Sequence, residues 1–156
     1  MRAAVPEGFD LEELLPHRAP MILIDRVLGV DGEEFRCGVS VRPESPFFED
    51  GAVPAWVGLE YMAQAVGALA GCEGKAKGAG ARPGLLLGAR AYISRRENFR
   101  DGEELTVAVR EVLRQDGGIS VMECFIRDRQ GVELAQAQLT LVQLPGEEAF
   151  KELMGA

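Results

Sequence analysis

Pro54-Ala55-Trp56-Val57-Gly58-Leu59-Glu60-Tyr61-Met62-Ala63-Gln64-Ala65-Val66 opens an apolar segment whose one charge between Gly51 and Cys72 is Glu60. The segment reads as a long helix running to about Cys72. Pro54 suits a first-turn position, where its missing N–H costs nothing. Gln64 falls four residues after Glu60, on the same helix face. A carboxylate among apolar neighbours is costly to keep ionised, which suits it to proton transfer. The alternative reading is a satisfied buried carboxyl that hydrogen-bonds a nearby loop.

Residues 52–72 are apolar enough to suggest a membrane span. Glu60 near the middle would cost about 2.5–3.5 kcal/mol, and Gln64 adds a second polar group. Pro54 and the glycines Gly58, Gly67 and Gly71 weaken that reading further. A helix buried in a globular protein, with no membrane partner, is the expectation.

On either side of this helix the chain reads as strands. Phe9 to Leu15 is a short helix, with Asp10 as its N-cap and Pro16 closing it. Met21 to Val30 is apolar and β-branched, Asp31-Gly32 is a hairpin turn, and Glu34 to Val41 pairs back. Residues 42–53 hold Pro43, Pro46 and Gly51 and read as a loop. After a glycine-rich loop through Gly74, Gly78, Gly80 and Pro83 come Gly84 to Ser94, Glu104 to Leu113, Ile119 to Arg127 and Val132 to Leu144. Leu105, Val107 and Val109 alternate with Thr106, Ala108 and Arg110, the period of a sheet with one wet face. Turns fall at Asp116-Gly117 and Arg129-Gln130-Gly131, and the tail 146–156 reads as a short helix. Strands that flank one apolar helix, rather than alternating with helices, predict an α+β fold in which the sheet curls around the helix. The whole chain, 1–156, is read as one domain.

Composition excludes several classes. At 156 residues the chain can bury roughly 70% of its unfolded surface, enough for one core. A net charge of −8 leaves no excess of cations for phosphates, so no nucleic-acid partner is expected. Cys37, Cys72 and Cys124 are widely spaced, and there is one histidine, so neither a disulfide framework nor a metal site is expected. The first twenty residues carry acidic positions and no continuous apolar run, so no signal peptide is expected and the location follows as cytoplasmic. No cofactor is expected either: Gly78-x-Gly80 lacks a third glycine, and there is no Walker A pattern and no Gly-x-Ser-x-Gly elbow.

Two segments resemble a known family. Leu15-Pro16-His17-Arg18-Ala19-Pro20, followed by Asp25-Arg26-Val27, is similar to the Leu-Pro-His-Arg-x-Pro…Asp-Arg-Val opening of β-hydroxyacyl-ACP dehydratases. Glu60-Tyr61-Met62-Ala63-Gln64 resembles their Glu-x-Met-Ala-Gln. Phe47 to Gln64 looks closest to a divergent branch, the dehydratase-like proteins of aryl polyene and related polyketide-type clusters. The resemblance implies the hotdog fold, a curved antiparallel sheet wrapped around one long helix. It further implies an acyl carrier protein or CoA thioester as partner, and sites formed in a homodimer or a heteromer with another hotdog subunit. One departure stands out. The main family has a catalytic histidine fourteen residues before the helix glutamate, and here that position is Pro46; the family's helix-start glycine falls on Ala55.

Dehydration needs a base for the α-proton, an acid for the departing hydroxyl, and donors for the thioester oxygen. Glu60 is the candidate acid, oriented by Gln64, and His17, the one imidazole, is the candidate base. A lone histidine is more often structural than catalytic, and His17 also reads that way. The N–H groups of Ala55 and Trp56, after Pro54, are the candidate donors at the positive end of the helix. Trp56, Tyr61, Met62 and Val66 read as core or pocket wall. Asp50 is a minor candidate base that reads better as a cap or a solvent-facing residue, and Asp25 and Arg26 read as structural. Between Lys75 and Arg100 lie seven basic residues, Lys75, Lys77, Arg82, Arg90, Arg95, Arg96 and Arg100, against one acid, Glu97. That face could steer an acidic carrier protein, or be ordinary solvated surface. Three functions stay open: 3-hydroxyacyl-carrier dehydratase, a non-catalytic subunit pairing with an active one, and acyl thioesterase.

Overall fold

The computed structural model describes residues 10–15, 17–76, 78, 84–143, 152 and 155. The short helix α1 spans Leu11–Leu14, and the strands β1 (Arg26–Asp31), β2 (Glu34–Ser40) and β3 (Ala52–Pro54) follow. A 3-10 turn at Ala55–Val57 leads into α2 (Gly58–Ala76), and then come β4 (Gly84–Ser94), β5 (Asn98–Arg100), β6 (Glu104–Arg114), β7 (Ile119–Arg127) and β8 (Glu133–Gln143). Six strands form one sheet in the order β1-β2-β6-β7-β8-β4, and every neighbouring pair is antiparallel.

Helix α2 packs against β2, β4, β6, β7 and β8 of this sheet, so the sheet wraps it as the resemblance implied. Breaks in register on β1, β4, β6 and β8 supply the bend, because an extra residue on one strand kinks it and adds twist. The core lies between. Met62, Ala65 and Ala68 of the helix, Phe35 and Cys37 of β2, Val107 and Val109 of β6, and Leu139 of β8 are all fully buried. The alternation on β6 holds for Leu105, Val107 and Val109, with Thr106 and Arg110 half-buried; Ala108 departs from it and is fully buried on the other face.

Helix α1 docks on α2 at Gly67 and Gly71. A Cβ at Gly71 would lie 2.2 Å from the backbone oxygen of Leu14. Of the glycines that argued against a membrane span, Gly71 is where two backbones touch, and Gly67 makes room for the Leu15 side chain. No helix among the described residues is long and apolar enough to cross a membrane.

Several boundaries move. The strand expected from Met21 begins only at Arg26, because the backbone of residues 21–23 bonds to a side chain of α2 instead of to a neighbouring strand. The first hairpin turns at Gly32-Glu33, with Asp31 paired to Glu34 and Gly32 at φ 63, a conformation glycine adopts freely. The loop expected over 42–53 ends in β3, which pairs with the unforeseen β5. Helix α2 reaches Ala76 rather than Cys72, and Asp10 makes no side-chain cap bond. Phe9, Pro16, Lys77, Gly80, Arg82 and Pro83 lie outside the described residues, as does the expected tail helix apart from 152 and 155.

Candidate active site

The site is built where the two-stranded sheet hands the chain to α2. Pro54 ends β3 with φ −59 and ψ 143, which turns the backbone into the 3-10 turn. The Ala55 N–H donates to the backbone oxygen of Glu97 at 2.9 Å. The expectation that Ala55 offers a free donor is thereby corrected, since the loop before β5 already takes it. Trp56, the second expected donor, has no acceptor for its N–H among the described residues. Its side chain, expected in the core or pocket wall, is 64% exposed and meets Phe47 edge-on with ring centroids 5.5 Å apart. Phe47 holds φ 67 beside Pro46, in the loop where the dehydratase family carries its histidine.

Glu60 sits in the first turn of α2. Its surroundings differ from the apolar sheath the sequence suggested: the side chain is 42% exposed. The reason is local. The apolar packing of α2 begins in earnest at Tyr61 and Met62, and the helix face shared by Trp56 and Glu60 is left open in the single chain. Tyr61, Met62 and Val66 are core residues as expected.

Gln64, fully buried, ties this turn to the segment before β1. Its Nε2 donates to Glu60 Oε1 at 3.1 Å and to the Met21 carbonyl at 2.7 Å, while its Oε1 accepts the Leu23 N–H at 2.8 Å. The His17 Nε2 lies 3.5 Å from the same Glu60 oxygen. The loop carrying His17 is fastened by Arg18, whose Nη1 donates to the carbonyls of Glu12, Leu15 and His17. His17 Nδ1 is buried and finds no partner among the described residues. Both of these contacts fall on Oε1, and Glu60 Oε2 makes no hydrogen bond among the described residues. The structure thus brings Glu60, Gln64 and His17 together. One oxygen of the carboxyl is fixed and the other is available to a ligand.

The remaining candidates lie apart from this chemistry. Asp50 is exposed at φ 52 and makes no side-chain hydrogen bond among the described residues. Asp25 accepts the Ser40 N–H and an Arg42 N–H, and Arg26 pairs with Glu104, so both act as braces between strands. Burial pushes the Cys37 thiol up to about 12 and the Cys72 thiol up to about 11, and pushes Cys124 up as well, which leaves no thiolate nucleophile at neutral pH. The basic run is partly neutralised. Arg96 clasps Glu103 through two bonds of 2.8 Å, and Arg95 lies 3.5 Å from Glu133. No cluster of described residues has the make-up of a metal site.

Sequence reasoning missed Tyr92. Its hydroxyl donates to the Ala55 carbonyl at 2.5 Å. No period in β4 announces it, because Ala91-Tyr92 forms a bulge: Arg90 pairs with Gln138 and Ile93 with Gln136.

The chain resembles known proteins in sequence and fold. The profile of a family described as ApeP-like, ApeP dehydratase, matches residues 9–153. The 3-hydroxyacyl-[acyl-carrier-protein] dehydratase FabZ of Brucella melitensis is 30% identical over 143 residues, covering 85% of this chain and 87% of that one. Among solved structures, the dehydratase heterocomplex ApeI:P from Xenorhabdus doucetiae superposes with a TM-score of 0.86 at 29% identity, covering 96% of this chain and 100% of the matched one. A thioesterase from Haemophilus influenzae superposes with a TM-score of 0.59 at 20% identity, covering 88% and 92%, and shares the fold alone.

Proposed function

The chain belongs to the ApeP-like dehydratase family, and on that footing we propose that it serves the dehydration of 3-hydroxyacyl thioesters, with Glu60 as the acid and His17 as the base. In this reaction a base takes a proton from C2 and negative charge gathers on the thioester oxygen. The C3–O bond then breaks, and the leaving hydroxyl takes a proton and departs as water. The observation that carries the reading is the shared oxygen: Glu60 Oε1 is held by Gln64 and faces the imidazole at 3.5 Å, while Oε2 is left for the substrate hydroxyl. The helix-start donor, reduced to Trp56, would meet the thioester oxygen. The substrate's acyl group would arrive on an acyl carrier protein or on CoA. The FabZ relatives act on the former by name, and the exposed Arg90 and Arg100 leave some positive surface to steer an acidic carrier.

A second reading has its own support. Pro46 occupies the histidine slot, and a relative of high structural similarity comes from a dehydratase heterocomplex. On this reading a second hotdog chain brings the base, and this chain brings Glu60 or only the tunnel wall. The test is to offer a 3-hydroxyacyl carrier thioester to the purified chain, alone and mixed with a second hotdog chain from the same genome. Enoyl product from the chain alone supports His17 as base, whereas enoyl product only from the mixture favours the second reading. Free acid and thiol would replace dehydration by thioester hydrolysis. No product under either condition would remove the proposal.

A further inference from the structure

The segment from Tyr92 to Glu97 grips the start of α2 at two points of one residue. Glu97 accepts the Ala55 N–H, and the Tyr92 hydroxyl donates to the Ala55 carbonyl, which also accepts the N–H of Gly58. The oxygen thus takes two donors, the Gly58 N–H and the Tyr92 hydroxyl, one on each lone pair. The tyrosine bond is costly to arrange. It needs the bulge at Ala91-Tyr92, with Ala91 at φ 52, a left-handed conformation that disfavours any residue with a Cβ by roughly 1–2 kcal/mol. It needs Gly58 as well, since a Cβ there would lie 2.5 Å from the Tyr92 hydroxyl. Strain that the surroundings impose in this way gathers at sites where position matters.

What the bond positions follows from peptide geometry. The Ala55–Trp56 peptide is trans, so its C=O and N–H point in opposite directions from one rigid plane. Holding the carbonyl therefore aims the Trp56 N–H, the donor that has no acceptor among the described residues. We propose that Tyr92 is a positioning residue: its hydroxyl fixes the Ala55–Trp56 peptide so that the Trp56 N–H meets the thioester oxygen as charge develops there. The inference rests on the dehydratase reading above. Burial pushes the Tyr92 phenol up to about 12, so it keeps the proton it donates at neutral pH.

The test is a double-mutant cycle on the active assembly, whether the chain alone or its mixture with a partner. Tyr92→Phe is expected to lower kcat about tenfold, or ~1.4 kcal/mol, with KM within about twofold. Gly58→Ala, which pushes the hydroxyl away, is expected to lose a similar factor. The double variant Gly58→Ala/Tyr92→Phe is expected to lose less than the product of the two single losses, because the hydroxyl clash is gone while the added Cβ still meets Ile126 Cδ1 at 2.8 Å and Phe99 at 3.2 Å. A tyrosine that only stabilises the fold would lower the thermal midpoint and leave kcat unchanged well below it. That result, with the wild type turning over, would overturn the role of Tyr92 and leave the dehydratase reading standing. A wild type that forms no enoyl product with any partner would overturn both. Should Gly58→Ala fail to fold, Tyr92→Phe alone still decides, because its Ala55 carbonyl keeps the Gly58 bond.

Discussion

Glu34 and Glu60 are both glutamates that the fold partly covers, and it furnishes them in opposite ways. Glu34 opens β2 and receives two guanidinium groups: Arg127 donates to both its oxygens at 2.8 and 2.7 Å, and Arg36 adds a bond of 2.8 Å. Arg127 is itself seated over the Phe125 ring, 5.1 Å from its centroid. The Arg127 bonds hold the Glu34 carboxyl well below its usual range, at about 2, with Arg36 assisting. Glu60 receives a neutral amide and an imidazole, and no arginine or lysine pairs with it among the described residues. A carboxylate clasped by fixed cations has no proton to give at neutral pH. At Glu60 no such clasp forms among the described residues, and one oxygen is left without a hydrogen bond. On the proposed function, the two sites separate what stabilises this fold from what does chemistry in it.

The contrast can be broken from either side. Short of removing Glu60 itself, His17→Ala is expected to cost the most, about 10²–10⁴-fold in enoyl formation, with little change in the unfolding midpoint. A His17→Ala protein that keeps half its rate would hand the base to another chain. Gln64→Leu comes next. It frees Glu60 and leaves the Leu23 N–H and the Met21 carbonyl unpaired. The rate is expected to fall about 100-fold, and stability by roughly 2–4 kcal/mol in a denaturant titration. Gly71→Ala, which drives a Cβ into the Leu14 backbone, is expected to cost about 2 kcal/mol of stability, read by the same titration.

The smallest effect falls on the structural side. The Glu34 carboxyl is lowered in the folded state from 4.5 to about 2, so the unfolded chain binds more protons between those values. Its contribution is complete above about pH 4.5 and is lost as pH falls through about 2. Glu34→Gln is expected to cost about 1 kcal/mol at neutral pH and to flatten this part of the stability profile, with enoyl formation unchanged.

Much of this arrangement is legible in the sequence, and the misses share a cause. The buried helix is announced by Tyr61 to Cys72, and the sheet by the alternation through Leu105, Val107 and Val109, because each element packs one face against the other. What stays hidden depends on contacts distant along the chain. Met21 to Ile24 is apolar enough for a strand, yet Gln64 takes its backbone groups. The Ala55 donor is consumed by Glu97, and a three-residue strand such as Asn98–Arg100 has no period to read. Glu60 marked the site through the motif it shares with the dehydratases. A run of apolar neighbours could not reveal that its own face of the helix is open, since that depends on where the sheet stops. Tyr92 was invisible because the bulge cancels the alternation that would assign its face.

The most direct trial of these two glutamates is to substitute each in turn and measure the initial rate of enoyl thioester formation from a 3-hydroxyacyl carrier thioester, in the active assembly. Glu60→Gln should abolish the rate while unfolding at the wild-type midpoint, and Glu34→Gln should turn over like the wild type. Wild-type turnover by Glu60→Gln would contradict the account, however well the fold matches that of its relatives.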